Sequence, residues 1–166
     1  MIRVLFVCHG NICRSPMAEF VFKDMVEKQG LSGMFYIASA ATSSEEIGNP
    51  VHWGTREKLK EHGISSRGKK AVRLIREDYD KYDYIIGMDS MNMTWMRSII
   101  GSDSEGKLYK LMDFTDKPRD VADPWYTGNF DVTYEDILKG CEALMEYLLK
   151  KQNGRRAWSL DGAARP

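Results

Sequence analysis

Cys8 and Arg14 lie six positions apart in a segment whose residue types could together bind and transfer a phosphoryl group. This segment, VCHGNICRSP at positions 7–16, follows an apolar run at positions 2–7 that predicts a buried strand, and it leads into an apolar periodicity that predicts a helix. Such a strand-loop-helix junction directs backbone N–H groups and the positive end of a helix dipole at one point. The sequence therefore predicts a phosphate-binding loop after the first strand.

The side chains of this loop supply complementary chemistry. Amide groups, a helix N-terminus and the charge of Arg14 stabilise a thiolate at Cys8, which is the nucleophilic form of a cysteine. The planar guanidinium of Arg14 can hold two phosphate oxygens at once, whereas a lysine offers only a point charge. Gly10 lets the backbone approach the ligand, and Asn11 tolerates a left-handed conformation. Taken singly, Cys8 could be a small core residue and Arg14 a surface charge, but their combination favours nucleophilic phosphoryl transfer.

The helix that follows the loop is expected to begin at Pro16, with Ser15 as its N-cap. The hydroxyl group of Ser15 would then lie beside the sulfur of Cys8.

Composition limits the classes of partner. A chain of 166 residues, 43% of them hydrophobic, fits one domain with a sizeable core. Its 24 basic and 24 acidic residues balance, so nothing suggests nucleic acid or a membrane surface as the partner. The first apolar run is too short for a signal peptide or a membrane span, and three cysteines suit a reducing compartment. We therefore expect a cytoplasmic protein without membrane insertion.

Strands that alternate with helices predict a single α/β domain with a four-stranded parallel sheet and helices on both faces. The predicted strands are residues 2–7, 34–38, 82–89 and 107–112, and the predicted helices are residues 16–29, 52–62, 90–100 and 132–152. Residues 39–50 and 113–129 are predicted loops, the second long enough to be functional. Residues 153–166 have no periodicity, so we expect a disordered or appended tail after a domain formed by residues 1–152.

The segment VCHGNICRSP resembles the active-site signature of the low-molecular-weight protein tyrosine phosphatases. Its positions all fit that signature except His9, which occupies a variable position. The resemblance covers about residues 2–152. It implies that the chain hydrolyses phosphotyrosine in protein substrates through a phosphocysteine on Cys8, without a cofactor or metal. Besides Arg14, the substrate-binding residues that it implies in this loop are His9, Gly10, Asn11, Ile12, Cys13 and Ser15.

A second element, Asp123-Pro124-Trp125-Tyr126, lies late in the predicted loop 113–129. An Asp-Pro pair is most often a turn, but this run resembles the Asp-Pro-aromatic-Tyr run that carries the general acid of the family. Asp123 would protonate the departing oxygen and later take a proton from water. Trp125 and Tyr126 would wall a deep slot that admits phosphotyrosine and leaves phosphoserine short of the nucleophile. The first aromatic is commonly tyrosine in the family, so Trp125 is a departure that bears on substrate preference.

Two further positions match supporting residues of the family. The resemblance implies that Ser39 forms a hydrogen bond to Asn11, and that Asp89 with Asn92 belongs to the Met-Asp-x-x-Asn stretch behind the site.

The chain also departs from the family pattern in two places. Many relatives carry an aromatic residue after the second strand, where this chain has Ser44-Glu45-Glu46, and some carry a histidine of the asparagine network where this chain has Gly68. Trp53 is a candidate for the missing aromatic wall.

Three other functions share the fold or the motif. Arsenate reductases of this fold need a pair of downstream cysteines, whereas only Cys141 follows the loop. Protein arginine phosphatases typically have threonine where this chain has Ile12, whose apolar side chain suits a phenyl ring better. A phosphotyrosine-binding module without turnover would not need Cys8 or Asp123.

A metal site is not expected. The three histidines, His9, His52 and His62, lack a regular ligand spacing, and no cysteine pair accompanies them.

Cys13 suggests redox control. A phosphate-binding loop curls into a ring, so the sulfurs of Cys8 and Cys13 are expected within disulfide reach. An accessible thiolate is oxidised by peroxide to a sulfenic acid, which a neighbouring thiol can capture. Relatives share this cysteine, and we therefore hypothesise a protective Cys8–Cys13 disulfide, with simple packing of Cys13 under the loop as the alternative.

Overall fold

The computed structural model describes the backbone of residues 1–163 and the side chains of residues 1–156. The strands of this described part are β1 (Ile2–Cys8), β2 (Phe35–Ala41), β3 (Tyr84–Gly87) and β4 (Leu108–Lys110). They form one parallel sheet in the order β2-β1-β3-β4. The helices of the described chain are α1 (Arg14–Lys28), α2 (Trp53–Glu61), α3 (Asp78–Lys81), α4 (Ser90–Ile100), α5 (Pro124–Thr127) and α6 (Phe130–Ala163), with short 3₁₀ turns at Ser32–Met34 and Leu111–Phe114. The predicted α/β fold with four parallel strands is confirmed.

Strand β1 lies in the middle of the sheet and is buried on both faces. Val4 and Phe6 belong to a core cluster with residues of α1 and α6, whereas Leu5 and Val7 belong to a second cluster with residues of α4. A parallel strand covered by helices on both faces needs apolar side chains at successive positions rather than at alternate ones. This explains the uninterrupted apolar run near the N-terminus and confirms the predicted helices on both faces.

Helix α1 begins two residues earlier than predicted, at Arg14. Cys13 occupies the N-cap position and makes no side-chain capping hydrogen bond. The prediction that Ser15 caps this helix was therefore wrong. Ser15 lies inside the first turn with its side chain fully buried, because its hydroxyl group is bound within the loop.

Three short elements differ from the predictions. Strand β2 continues to Ala41, whose backbone pairs with the segment at Arg73, so the loop after it starts later than predicted. The predicted loop 113–129 contains the one-turn helix α5, and the one-turn helix α3 was not predicted. Such short helices are fixed by capping and tertiary contacts rather than by apolar periodicity.

Helix α6 continues to Ala163, so its predicted end near residue 152 was wrong. The apolar stripe ends there, but Arg155, Arg156 and Ala157, which follow it, have high helix propensity. That residues 153–166 are an appended tail stays a prediction, since residues 164–166 and the side chains from residue 157 lie outside the described part of the chain.

The carboxyl ends of the strands bring the candidate site together. β2 lies on one side of β1 and β3 on the other, so the chain changes direction in the sheet between β1 and β3. Ligands of open parallel sheets bind at such a switch point. Cys8 ends β1, and Asp89 follows β3, at this edge. Among the described helices, none combines the length and the apolar character that a membrane crossing would need.

Two glycines of α6 provide a matched test of the packing between α6 and the 3₁₀ turn Leu111–Phe114. A Cβ atom at Gly140 would lie 2.5 Å from Cγ of the buried Leu111, whereas a Cβ atom at Gly154 would meet nothing within 4 Å. We expect Gly140→Ala to lower the free energy of unfolding by about 1–3 kcal/mol through overpacking. Gly154→Ala should raise it by up to about 1 kcal/mol, the helix-propensity difference. Urea unfolding of both variants measures this, and a shift of equal sign in the two would contradict it.

Candidate active site

Cys8, the candidate nucleophile, is the last residue of β1 and is buried beneath the loop formed by residues 9–13. The Oγ atom of Ser15 lies 3.0 Å from Sγ of Cys8, and the backbone N–H of Ser15 donates to the same sulfur at 3.4 Å. Both groups belong to the first turn of α1, where the helix dipole is positive. The sulfur therefore faces hydrogen-bond donors, as a nucleophilic thiolate requires.

Arg14 is almost completely buried and connects three parts of the chain. Its Nη1 donates to Oδ2 of Asp89 at 2.7 Å and to the carbonyl oxygen of Val121 at 2.8 Å, and its Nη2 donates to Oδ2 of Asp123 at 3.3 Å. Burial alone would lower the pKa of Arg14, but the charges of Cys8 and Asp123 and the hydrogen bond to Asp89 raise it above its ordinary value. The guanidinium thus stays charged and held at the edge of the pocket.

Asn11 shapes the loop between Cys8 and Arg14. It has a φ of 59°, and it alone among the described non-glycine residues has a positive φ. Its Nδ2 donates to Ser15 Oγ at 2.8 Å and to Ser39 Oγ at 2.9 Å, and its Oδ1 accepts from the N–H of Val72 at 3.1 Å. The predicted hydrogen bond between Ser39 and Asn11 is therefore present. Since all the polar atoms of the amide are engaged, the left-handed conformation is fixed from outside the loop.

Behind Ser39 lies a buried ionic group that the sequence did not reveal. The hydroxyl of Ser39 donates to Oε1 of Glu19 at 2.6 Å, and Nζ of Lys69 donates to the Ser39 carbonyl at 2.9 Å and lies 3.7 Å from Glu19 Oε1. Lys23 binds the other carboxylate oxygen of Glu19 at 2.5 Å. Burial lowers the pKa of Lys69, although the Glu19 charge opposes this. Lys69 directly follows Gly68, so a lysine enters the network where some relatives use a histidine.

The Glu19 carboxylate sets the direction of the hydrogen bonds that lead to the nucleophile. Because a carboxylate only accepts, the Ser39 hydroxyl donates to it and accepts from Asn11. Asn11 donates its other N–H to Ser15 Oγ, which leaves the hydroxyl hydrogen of Ser15 to be donated. Its nearer acceptor is Cys8 Sγ at 3.0 Å, compared with a backbone carbonyl at 3.5 Å. The chain of bonds therefore ends in a donor directed at the sulfur.

Asp123 is the N-cap of α5. Its Oδ1 accepts from the N–H of Trp125 at 3.0 Å, while its Oδ2 faces Arg14 Nη2. The carboxyl group is therefore held by one oxygen, and its other oxygen lies beside the guanidinium at the pocket.

A pocket of about 370 Å³ opens over the loop, a size that suits a small ligand group. It brings together the predicted nucleophile, arginine, acid and aromatic walls, and its lining consists of Cys8, His9, Gly10, Ile12, Cys13, Arg14, Glu45, Glu46, Asp123, Trp125 and Tyr126. Four other predicted site residues, namely Asn11, Ser15, Ser39 and Asp89, are not part of this lining and instead hold the loop and Arg14 from behind.

The walls of the pocket differ from one another in chemistry. Trp125 and Tyr126 are 59% and 84% exposed at the mouth, and the Trp125 and His52 rings pack edge-to-face at 5.8 Å between centroids. On the other side Glu45 and Glu46 line the pocket, and Glu45 Oε2 lies 3.1 Å from Nε2 of His9.

Trp53 does not replace the aromatic wall that the sequence lacks. It is absent from the residues that line the pocket in the described part of the chain, and its ring contacts His52 and Phe130 instead. On this side the pocket is therefore lined by Glu45 and Glu46, where many relatives carry an aromatic residue.

Cys13 also lines the pocket, but its surroundings disfavour the reactive thiolate form. Burial, followed by the negative charges of Cys8 and Asp123, raises the pKa of Cys13 to about 12. Burial likewise raises the pKa of Cys141, which lies in the core. All three cysteines are free thiols in the structure.

Comparison with known proteins gives one consistent match. Residues 3–154 match the family model for low molecular weight phosphotyrosine protein phosphatase. The chain is 44% identical over 154 residues to the low molecular weight protein-tyrosine-phosphatase YfkJ of Bacillus subtilis, covering 92% of this chain and 99% of YfkJ. It is 37% identical to PtpA of Staphylococcus aureus, a protein of the same description, over 92% of this chain and 97% of PtpA.

Solved structures agree. The crystal structure of YfkJ superposes with a TM-score of 0.87 at 45% identity, covering 91% of this chain and 96% of that one. The structure of DARP, described as a Drosophila arginine phosphatase, superposes with a TM-score of 0.82 at 28% identity, covering 89% and 98% of the two chains. The fold is therefore shared by proteins described as tyrosine and as arginine phosphatases.

Proposed function

Because the chain belongs to the low-molecular-weight phosphotyrosine protein phosphatase family, we propose that it hydrolyses phosphotyrosine in proteins through a phosphocysteine on Cys8. The observation that carries this mechanism is the pocket in which Cys8, Arg14 and Asp123 meet, with Arg14 bonded to Asp123. The proposal assigns one role to each of these residues: nucleophile, phosphate clamp, and general acid and base.

In the first step the Cys8 thiolate attacks phosphorus and the bond from phosphorus to the tyrosine oxygen breaks. Asp123 donates its proton to that oxygen, because a phenolate whose conjugate acid has a pKa of about 10 leaves poorly. The guanidinium of Arg14 and the amides of the loop bind the phosphoryl oxygens as charge develops on them.

In the second step water attacks the phosphocysteine and gives a proton to Asp123, and the Cys8 sulfur leaves as a thiolate. The hydroxyl and the backbone N–H of Ser15, at 3.0 and 3.4 Å from that sulfur, support its departure. The direction of the hydrogen bonds that begins at Glu19 makes the hydroxyl a donor at this moment. No metal or cofactor takes part in the proposed reaction.

The substrate class follows from the walls of the pocket. Trp125 and Tyr126 provide flat apolar surface for a phenyl ring, and Ile12 adds an apolar floor. Hydrolysis of phosphoarginine is the second candidate, because DARP shares the fold, but Ile12 offers a guanidinium group no hydrogen-bond partner. We further propose that residues 1–152 form the phosphatase domain, that residues 153–166 extend from it, and that the protein works in the reducing cytoplasm, which suits its three free thiols.

The first test compares phosphotyrosine, phosphoserine and phosphoarginine peptides, without added metal, for the wild type and for Cys8→Ser. We expect the wild type to hydrolyse phosphotyrosine at least about 10²-fold faster than the other two, because the phosphoserine side chain is too short to reach the sulfur and Ile12 gives phosphoarginine no hydrogen-bond partner. Cys8→Ser should be inactive and still bind phosphotyrosine, since the amides and Arg14 remain. Comparable hydrolysis of phosphoarginine would favour the second candidate, and turnover by Cys8→Ser would exclude the phosphocysteine.

The role of Asp123 is tested by the leaving group. Asp123→Asn should lower kcat/KM for a phosphotyrosine peptide by roughly 10²–10⁴-fold, the usual worth of general acid catalysis. For 4-nitrophenyl phosphate, whose phenolate leaves without a proton, the decrease in kcat/KM should be much smaller. An equal decrease for both substrates would contradict the assignment.

Redox control by Cys13 is tested with peroxide. Peroxide converts the Cys8 thiolate to a sulfenic acid with loss of hydroxide, and the Cys13 thiol then displaces water to form the disulfide. Because burial and charge raise the pKa of Cys13 to about 12, closure should accelerate as the pH rises toward that value. Mass spectrometry of the loop peptide should show the loss of two hydrogens, and a thiol reductant should restore activity. If Cys13→Ser recovers activity as well as the wild type, Cys13 has only a packing role.

A further inference from the structure

Residues 119–122, the four residues that lead up to the proposed acid Asp123, are each bound to another part of the molecule. Helix α6 binds residues 119 and 122, the end of β3 and Arg14 bind residue 121, and the start of α4 binds residue 120. A connection of this length between β4 and α6 would ordinarily be mobile. Here it is anchored at successive residues.

One of these anchors is an ion pair between Arg119 and Asp136 of α6. Nη1 of Arg119 donates to Asp136 Oδ2 at 2.8 Å and Nη2 donates to Oδ1 at 2.5 Å, which is the paired geometry of a guanidinium and a carboxylate. The Asp136 side chain is 6% exposed, whereas that of Arg119 is 48% exposed. A carboxylate buried to this degree is costly without its partner, so the pair constrains where residue 119 can lie.

A second anchor on the same helix lies one turn earlier. The hydroxyl of Thr133, which is fully buried, donates to the carbonyl of Ala122 at 3.1 Å. Between the two anchors the N–H of Val121 donates to the Met88 carbonyl at 2.9 Å, and the Val121 carbonyl accepts from Arg14. Asp123 therefore follows directly after a backbone that α6, β3 and the phosphate-binding arginine all hold.

We propose that Arg119 and Asp136 form a positioning pair for Asp123, which keeps the acid in place over the pocket before substrate binds. This inference rests on the proposed function, because it concerns the step in which Asp123 protonates the leaving group. Neither residue lines the pocket, so the pair acts only through the backbone that it holds.

A positioning role predicts a loss that depends on the leaving group. The variant Asp136→Asn keeps the shape of the side chain but removes the charge that holds Arg119. We expect kcat/KM for a phosphotyrosine peptide to fall by about tenfold, a part of the roughly 10²–10⁴-fold that a general acid supplies. For 4-nitrophenyl phosphate, kcat/KM should change less than about twofold, because its departure needs no acid. Arg119→Lys, which keeps the charge and loses the paired geometry, should lie between the wild type and Asp136→Asn.

The matched control is Glu146→Gln. It removes an exposed ion pair with Lys150 on the same helix, and Glu146 forms no hydrogen bond or ion pair with residues 119–123 in the described chain. In this variant, kcat/KM for the phosphotyrosine peptide and kcat/KM for 4-nitrophenyl phosphate should both equal the wild-type values.

Hydrogen exchange supplies a readout that does not depend on turnover. The N–H of Trp125 is bound to the Asp123 side chain, and the N–H groups of Tyr126 and Thr127 are bound to its carbonyl. These amides should exchange about tenfold faster in Asp136→Asn than in the wild type or in Glu146→Gln, with amides of β1 unchanged.

The outcomes distinguish a failure of the proposed function from a failure of the positioning role of Arg119 and Asp136. If the wild type hydrolyses neither substrate, the proposed function fails, and the exchange rates alone decide the inference. If Asp136→Asn lowers kcat/KM equally for both substrates, or leaves amide exchange at residues 125–127 unchanged, the positioning role is overturned. Should Asp136→Asn not fold, Arg119→Lys is judged by the same two measurements, since its buried partner keeps a cation.

Discussion

The buried guanidinium of Arg14 is the constraint on which the rest of the site depends. A cation that is only 2% exposed is unfavourable unless it finds partners, and the chain supplies three partners from two distant segments. Asp89 comes from the end of β3, and the carbonyl of Val121 and the side chain of Asp123 come from the connection before α6. The acid is thus drawn to the pocket by the same residue that would bind the phosphate. A structure that satisfied Arg14 differently would separate the acid from the nucleophile.

A second constraint acts on the other side of Cys8. The carboxylate of Glu19 is buried, and Lys23 and Lys69 compensate its charge. Without those cations a second negative group near Cys8 would oppose a thiolate; with them, the carboxylate remains only as an acceptor that orients the hydroxyls of Ser39 and Ser15. The site therefore uses one buried ionic group to hold Arg14, the proposed phosphate clamp, and another to set the direction of the hydrogen bonds that reach the sulfur.

The sequence predicted those parts of the molecule whose pattern is local, and it missed those that depend on distant contacts. The strands and the helices with apolar periodicity were predicted because burial leaves a repeating pattern, and the loop was predicted because Cys8, Gly10, Asn11 and Arg14 lie within seven positions. Glu19 and Lys69 were missed because a single charged residue on a helix or in a loop looks like solvated surface until its surroundings are known. The role of Ser15 was mistaken for another reason: the N-cap rule expects the hydroxyl to accept from a backbone N–H of its own helix, whereas this hydroxyl is bound to Cys8 and Asn11 in the loop before the helix. The end of α6 was misplaced because periodicity reports burial and not helicity.

Helix α6 shows how the core and the chemistry share one element. Its apolar stripe, with Ile137, Cys141 and Leu144 at its centre, packs against α1 and the sheet, and burial of this stripe alone would account for the helix. Yet Thr133 and Asp136 are buried on the same helix, where a threonine and an aspartate lower the hydrophobic gain. Both face the connection that carries Asp123. Since apolar residues there would pack at lower cost, the presence of these buried polar side chains is best explained by the loop that they hold, which carries the proposed acid.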